Sequence, residues 1–221
     1  MPRQTLPSGT PCELAVPDTA PSRGVVIASD IGGLRPLFDD MAARLAAEHG
    51  WAVCVVEPWP GRESMELEER LASVGGLDDD TQVGDLVQAG DLLRHETGVE
   101  RVAVLGFCMG GMYAMKAAAT GRFDRCVAFY GMIRVPEQWQ GPGQEDALER
   151  LKTGGTCPVL AIVGTVDPWT PARDVDDLEA IGAVVVRYEG ADHGFVHDPS
   201  RPAHRPDDAA DAWRRVVEFL S

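Results

Sequence analysis

The chain has 221 residues, of which 44% are hydrophobic and 25% charged, and its formal net charge is −15. That length suits one large domain with a full core. The acidic excess sets the chain against nucleic acid and anionic membrane, both of which it repels. No run approaches the roughly 20 apolar residues of a membrane-spanning helix, and the first eleven residues lack the apolar segment of a secretory signal. Five cysteines, at 12, 54, 108, 126 and 157, follow neither a disulfide framework nor a zinc spacing, so the expectation is a soluble, cytoplasmic protein.

Residues 1–23 carry proline at 2, 7, 11, 17 and 21 and read as loop, apart from a short edge strand over 12–16. Residues 24–29 (GVVIAS) form a continuous apolar run, the mark of a strand buried on both faces. The flexible Asp30-Ile31-Gly32-Gly33 follows. Pro36 opens a helix with Phe38, Met41, Ala42, Leu45 and His49 on one stripe. Gly50 closes it, and 51–56 is the next strand. Residues 57–80 contain a Pro/Gly turn around Trp59, a short charged helix over 62–70 and a break at Gly75-Gly76. Helix resumes near Thr81, with Val83, Leu86, Val87, Gly90 and Leu93 at helical spacing.

Residues 101–105 are rich in β-branched side chains and predict a buried strand. Residues 112–120 are alanine-rich and predict a helix. Between them, Gly106-Phe107-Cys108-Met109-Gly110-Gly111 must turn from strand to helix almost at once, and its glycines remove the Cβ atoms that would block the turn. This is the spacing of a nucleophile elbow, with cysteine where serine is more usual. Another strand covers 124–130, an irregular excursion 132–155, and a further strand 158–163, which ends at Gly164-Thr165-Val166-Asp167. Pro171 opens a helix that Gly182 closes. The last strand, 183–188, leads into Asp192-His193-Gly194-Phe195, and an amphipathic helix over 207–220 completes the chain.

Short apolar strands alternating with helices predict an α/β fold whose mainly parallel sheet is covered on both faces, one domain over 1–221. Ligands bind such sheets at the carboxyl ends of the strands. Asp30, Cys108, Asp167 and His193 each follow a predicted strand. Nucleophile, acid, histidine is the chain order of the α/β-hydrolase triad: Cys108 to attack a carbonyl, His193 to move the proton, Asp167 to orient the imidazole. The Ile31 and Met109 N–H groups are placed to form an oxyanion hole. Trp59, Trp139 and Trp169 fit either the wall of a pocket or ordinary packing.

The elbow, Gly164–Asp167 and Asp192–Phe195, taken together and in order, resemble the dienelactone hydrolase (carboxymethylenebutenolidase-like) family over residues 24–220. The resemblance implies hydrolysis of a small-molecule lactone or ester through a Cys-His-Asp triad, with no metal or organic cofactor. It also implies a carboxylate after the first core strand that modulates the thiol. That position is Asp30 here, where founding members carry glutamate. Those members grip a substrate carboxylate with two arginines. Arg70 or Arg62 fits the first position, while the second falls on His197, with Arg201 further along. The other readings are a thioesterase or a short-acyl or aryl esterase on the same triad, a non-catalytic ligand-binding module, and a redox sensor at Cys108. A monomer or small homo-oligomer is expected.

Overall fold

A computed structural model describes residues 3–221. Eight strands form one sheet in the order β1-β2-β4-β3-β5-β6-β7-β8. These are β1 (Gln4–Thr5), β2 (Pro11–Ala15), β3 (Arg23–Ala28), β4 (Trp51–Val56), β5 (Val102–Phe107), β6 (Cys126–Phe129), β7 (Val159–Gly164) and β8 (Val184–Tyr188). From β4 onward across the sheet every pairing is parallel, while β1 and β2 add antiparallel. Every residue of β3 to β7 is buried, as their apolar runs require of strands covered on both faces.

The helices are α1 (Pro36–His49), α2 (Leu67–Ser73), α3 (Asp79–Thr97), α4 (Met109–Ala118), α5 (Ala147–Lys152), α6 (Ala172–Ala180) and α7 (Pro206–Leu220). Side chains alternate faces along a strand, and β5 sorts the layers accordingly. Val102 and Gly106 face α3 and α4. Phe107 faces the other way, against Phe38 of α1 and Trp213 of α7. Local chemistry sets the helix ends. Pro36 and Pro206 open α1 and α7, and the Asp78 carboxylate caps α3 by accepting from Thr81 N at 2.9 Å. Gly50 and Gly98 close α1 and α3 in the left-handed conformation that glycine tolerates.

The structure departs from the sequence reading at four places. The strand expected at the edge lies inside it, because β1 pairs onto β2. The charged helix begins later, at Leu67, after a double turn in which Arg62 N donates to Trp59 O and Met65 N to Arg62 O. The helix after the elbow starts at Met109, with no intervening coil. The 132–155 excursion contains α5 and a single 3₁₀ turn, Glu137–Trp139.

The sheet reverses its order at β3, with β4 on one side and β5 on the other. That switch point sets the ends of β3 and β5 side by side and leaves a crevice above them. Asp30 and Cys108 lie there. No described helix is long and apolar enough to cross a membrane.

Candidate active site

Cys108 sits between the last residue of β5 and the first of α4 with φ 56° and ψ −123°. It shares a positive φ with only one other described non-glycine residue, Tyr130. Such backbone costs about 1–3 kcal/mol and persists only where the surroundings impose it. Here backbone packing imposes it. A Cβ on Gly106 would lie 2.1 Å from the Gly110 carbonyl oxygen, and one on Gly110 would lie 2.2 Å from those of Ala28 and Ser29. The first turn of α4 is therefore pressed against the ends of β3 and β5, and Cys108 N donates to Phe129 O at 3.0 Å. The sulfur is raised to the sheet edge with the residue only 8% exposed.

His193, on the loop after β8, meets it from across the sheet. Its Nδ1 lies 2.8 Å from Asp167 Oδ2, on the loop after β7. Asp167 Oδ1 accepts from Trp169 N at 2.8 Å, which fixes the carboxylate. The buried carboxylate makes Nδ1 the protonated nitrogen and leaves Nε2 for chemistry. Nε2 is buried with no hydrogen-bond partner. Burial opposes a charge on this ring, but the nearby Cys108 sulfur and Asp167 outweigh it and push His193 up to about 10. The raised value favours the protonated ring at neutral pH, a cation set in the same cleft as Cys108. The Tyr130 ring packs edge-on against His193 at 5.1 Å.

Cys108 and His193 line a cleft of about 500 Å³ together with Asp30, Ile31, Arg35, Trp139, Trp169 and Arg201, a size suited to a small organic ligand. Trp139 from the excursion stacks on Trp169 at 5.0 Å and 25°, so of the three tryptophans that fit either a pocket wall or ordinary packing, these two line the cleft and Trp59 does not. The Ile31 N–H makes no hydrogen bond within the described chain. The Met109 N–H, first in α4, belongs to the helix end whose donors have no helical partner.

Asp30 lies in the cleft with both oxygens occupied. Oδ1 accepts from Gly32 N at 2.8 Å and Arg35 Nη1 at 2.6 Å. Oδ2 accepts from Arg35 Nη2 at 2.7 Å and His197 Nε2 at 2.8 Å. Burial alone would favour the neutral acid, yet His197 and Arg35 hold Asp30 well below the usual carboxylate range. His197 is buried behind it. Its ring stacks on Phe107 at 4.9 Å, and its Nδ1 meets Tyr130 Oη at 2.5 Å.

The four residues expected to bind substrate lie outside the cleft lining. Arg62 is exposed, with its guanidinium over the Trp59 ring at 5.2 Å. Trp59 and Arg70 are buried and spend their donors on backbone carbonyls, and His197 spends both nitrogens on Asp30 and Tyr130. The cations that do face the cleft are Arg35 and Arg201. Arg35 had a sequence signal, standing beside the flexible loop just before a helix-opening proline. Tyr130 had none beyond a glycine after it. Among the described residues, no group of three or more His, Cys, Asp or Glu side chains is arranged to hold a metal ion.

A mainly parallel sheet that presents a cysteine elbow, an acid and a histidine at strand ends is an α/β-hydrolase-like fold. The model of the dienelactone hydrolase family matches residues 11–221, and the chain belongs to that family. It is accordingly a dienelactone-hydrolase-like enzyme, a carboxylic-ester hydrolase. Carboxymethylenebutenolidase of Rhodococcus opacus is 28% identical over 92% of this chain and 82% of its own length. A Bradyrhizobium protein named probable 2-oxo-3-(5-oxofuran-2-ylidene)propanoate lactonase is 28% identical over 89% of this chain and 82% of its own. A Klebsiella pneumoniae crystal structure named for the dienelactone hydrolases superposes with a TM-score of 0.87 at 22% identity, covering 99% of this chain and 97% of that one.

Proposed function

We propose that the protein opens a lactone or small carboxylic ester through Cys108, His193 and Asp167. The observation that carries this reading is the buried, unpartnered Nε2 of His193, fixed by Asp167 at 2.8 Å and sharing one cleft with the strained Cys108. The thiolate sulfur attacks the carbonyl carbon, and the carbonyl π pair moves to oxygen. The N–H groups of Ile31 and Met109 receive that oxyanion, each worth roughly 3 kcal/mol in the transition state. As the intermediate collapses, the C–O bond breaks and the leaving oxygen takes the proton from His193 Nε2. Water then attacks the thioester, giving its proton to Nε2 while the sulfur departs as thiolate. Asp167 keeps the ring oriented and offsets its charge throughout.

An anionic substrate suits the cleft. Arg201 makes no ion pair or side-chain hydrogen bond among the described residues, and a chain of net charge −15 needs a local cation to admit a carboxylate. The relatives named for carboxymethylenebutenolide and oxofuranylidene-propanoate hydrolysis support a lactone of that kind. All five cysteines are free and buried, which supports a reducing, cytoplasmic setting. The test is a panel of carboxylated lactones, neutral lactones and simple esters run on wild type, Cys108→Ala and Arg201→Ala. Loss of turnover by several orders of magnitude in Cys108→Ala is expected. Arg201→Ala should raise KM for the carboxylated members alone. Turnover that survives in Cys108→Ala, after complete replacement, ends the cysteine reading.

A further inference from the structure

Three buried side chains grip the Ile31 loop from behind: Glu57, Trp59 and Arg70, at 2%, 1% and 6% exposure. Glu57 and Trp59 follow β4, and Arg70 belongs to α2. Neither Trp59 nor Arg70 lines the cleft, so neither touches substrate. Both peptide planes around Ile31 are pinned. The Asp30 carbonyl, in the same plane as the Ile31 N–H, accepts from Gly33 N at 3.0 Å. The Ile31 carbonyl accepts from Trp59 Nε1 at 2.9 Å and Arg70 Nη1 at 3.3 Å.

Those two donors are themselves fixed. The Glu57 carboxylate accepts from Leu34 N at 2.8 Å and Trp59 N at 2.9 Å, and it faces Arg70 at 3.9 Å. Arg70 Nε donates to Met65 O at 2.8 Å and Nη2 to Glu63 O. The grip closes only because Gly33 has no side chain. Its φ is +67°, and a Cβ there would stand 2.6 and 2.7 Å from the Glu57 oxygens and 2.9 Å from Arg70 Nη1.

We infer that Glu57, Trp59 and Arg70 are positioning residues whose task is to aim the Ile31 N–H at the developing oxyanion. This rests on the cysteine-hydrolase reading above. A donor misplaced by about 1 Å costs on the order of a hundredfold in rate, and its complete loss costs about 10²–10³. A clamp of this kind leaves the thiol itself untouched.

The experiment compares Arg70→Ala and Trp59→Phe with wild type. The second removes the indole donor while keeping an aromatic ring in place, and it carries the test alone if the first does not fold. Both variants are expected to lose roughly ten- to a hundredfold in kcat, with KM within about threefold. Cys108 should still be alkylated by iodoacetamide at the wild-type rate, since displacement of iodide forms no oxyanion. An aldehyde that adds to Cys108 should bind more weakly by a factor similar to the fall in kcat. Full kcat in folded variants, or alkylation that falls in step with kcat, overturns the inference. Full kcat in both variants beside an inactive Cys108→Ala sinks the clamp alone. Turnover in Cys108→Ala sinks the cysteine reading and the clamp with it.

Discussion

Replacing Asp30 with asparagine separates a carboxylate that serves the sulfur from one that serves the scaffold. In the structure four donors converge on its two oxygens: Gly32 N, both terminal nitrogens of Arg35, and His197 Nε2. The asparagine oxygen can keep the pair on one side, Gly32 N and Arg35 Nη1. Its NH₂ then faces Arg35 Nη2 and His197 Nε2, two donors that lose their acceptor. Hydrogen bonds to charged groups contribute about 1.5–3 kcal/mol each, and breaking a buried ion pair from one side costs about 3–5 kcal/mol. We take about 3–5 kcal/mol for the substitution. In a chain of this size that is roughly 6–20 °C in Tm, at about 2–4 °C per kcal/mol.

The pH dependence has a definite sign. Asp30 is held below the usual carboxylate range, so its contribution is complete above its unfolded value of about 3.9 and fades as pH falls through the lower native value. Melts of wild type and Asp30→Asn at pH 7 and 5 should therefore differ by the same amount, and the gap should close only below about pH 4. Iodoacetamide should still modify Cys108 in the variant. A variant as stable as wild type whose Cys108 has lost its reactivity would place the carboxylate on the sulfur and refute this account.

Three further outcomes are expected. The His193 ring should titrate near 10 in wild type by NMR and clearly lower in Cys108→Ala, because the sulfur leads the influences that raise it. Its contribution to stability is therefore complete below about 6.5 and lost as pH rises through about 10, and kcat/KM should fall on the same alkaline limb; an unshifted ring in Cys108→Ala would separate the two groups. Gly110→Ala sets a Cβ 2.2 Å from two backbone carbonyl oxygens, which cannot swing aside as a side chain can. A loss of at least about 2 kcal/mol by urea unfolding should follow, and an unchanged midpoint would mean the elbow relaxes freely. Lys116→Met strands Asp79, which Lys116 Nζ meets at 2.6 Å with both side chains at most 1% exposed. Asp79 keeps only the Glu145 N–H at 2.8 Å and Arg150 at 3.6 Å. About 3–5 kcal/mol should be lost, and a loss under about 1 kcal/mol would show that the remaining partners suffice.

The parts legible in the sequence were those decided by local chemistry. The apolar runs, Pro36, Gly50 and the glycines of the elbow each act within a few residues, and the elements they imply lie within a few residues of those observed. Strand ends gather at one edge of a parallel sheet, so Cys108, Asp167 and His193 were readable as a group without any distance being known. The fate of each charged side chain was not readable. Arg70 and His197 are as free in sequence as Arg35 and Arg201, and only the packing of α2 against the β3 loop, or of His197 onto Phe107, shows which of them are already spent. The Asp30 position shows the same limit, since nothing local reveals that Arg35 five residues on and His197 far downstream converge on it. The 132–155 excursion hid its 3₁₀ turn and α5 because both are short and held by tertiary contacts, such as Glu145 N donating to Asp79 Oδ2 of α3 at 2.8 Å, rather than by periodicity.

That excursion has a practical side. It carries the buried Trp139 onto Trp169 in the lining of the cleft, so two of the five tryptophans form a stacked chromophore in its wall. Trp51, Trp59 and Trp213 lie elsewhere and supply a steady background. Intrinsic emission is thus a built-in, label-free gauge of cleft occupancy, by which binding can be timed in an inactivated variant where no product forms.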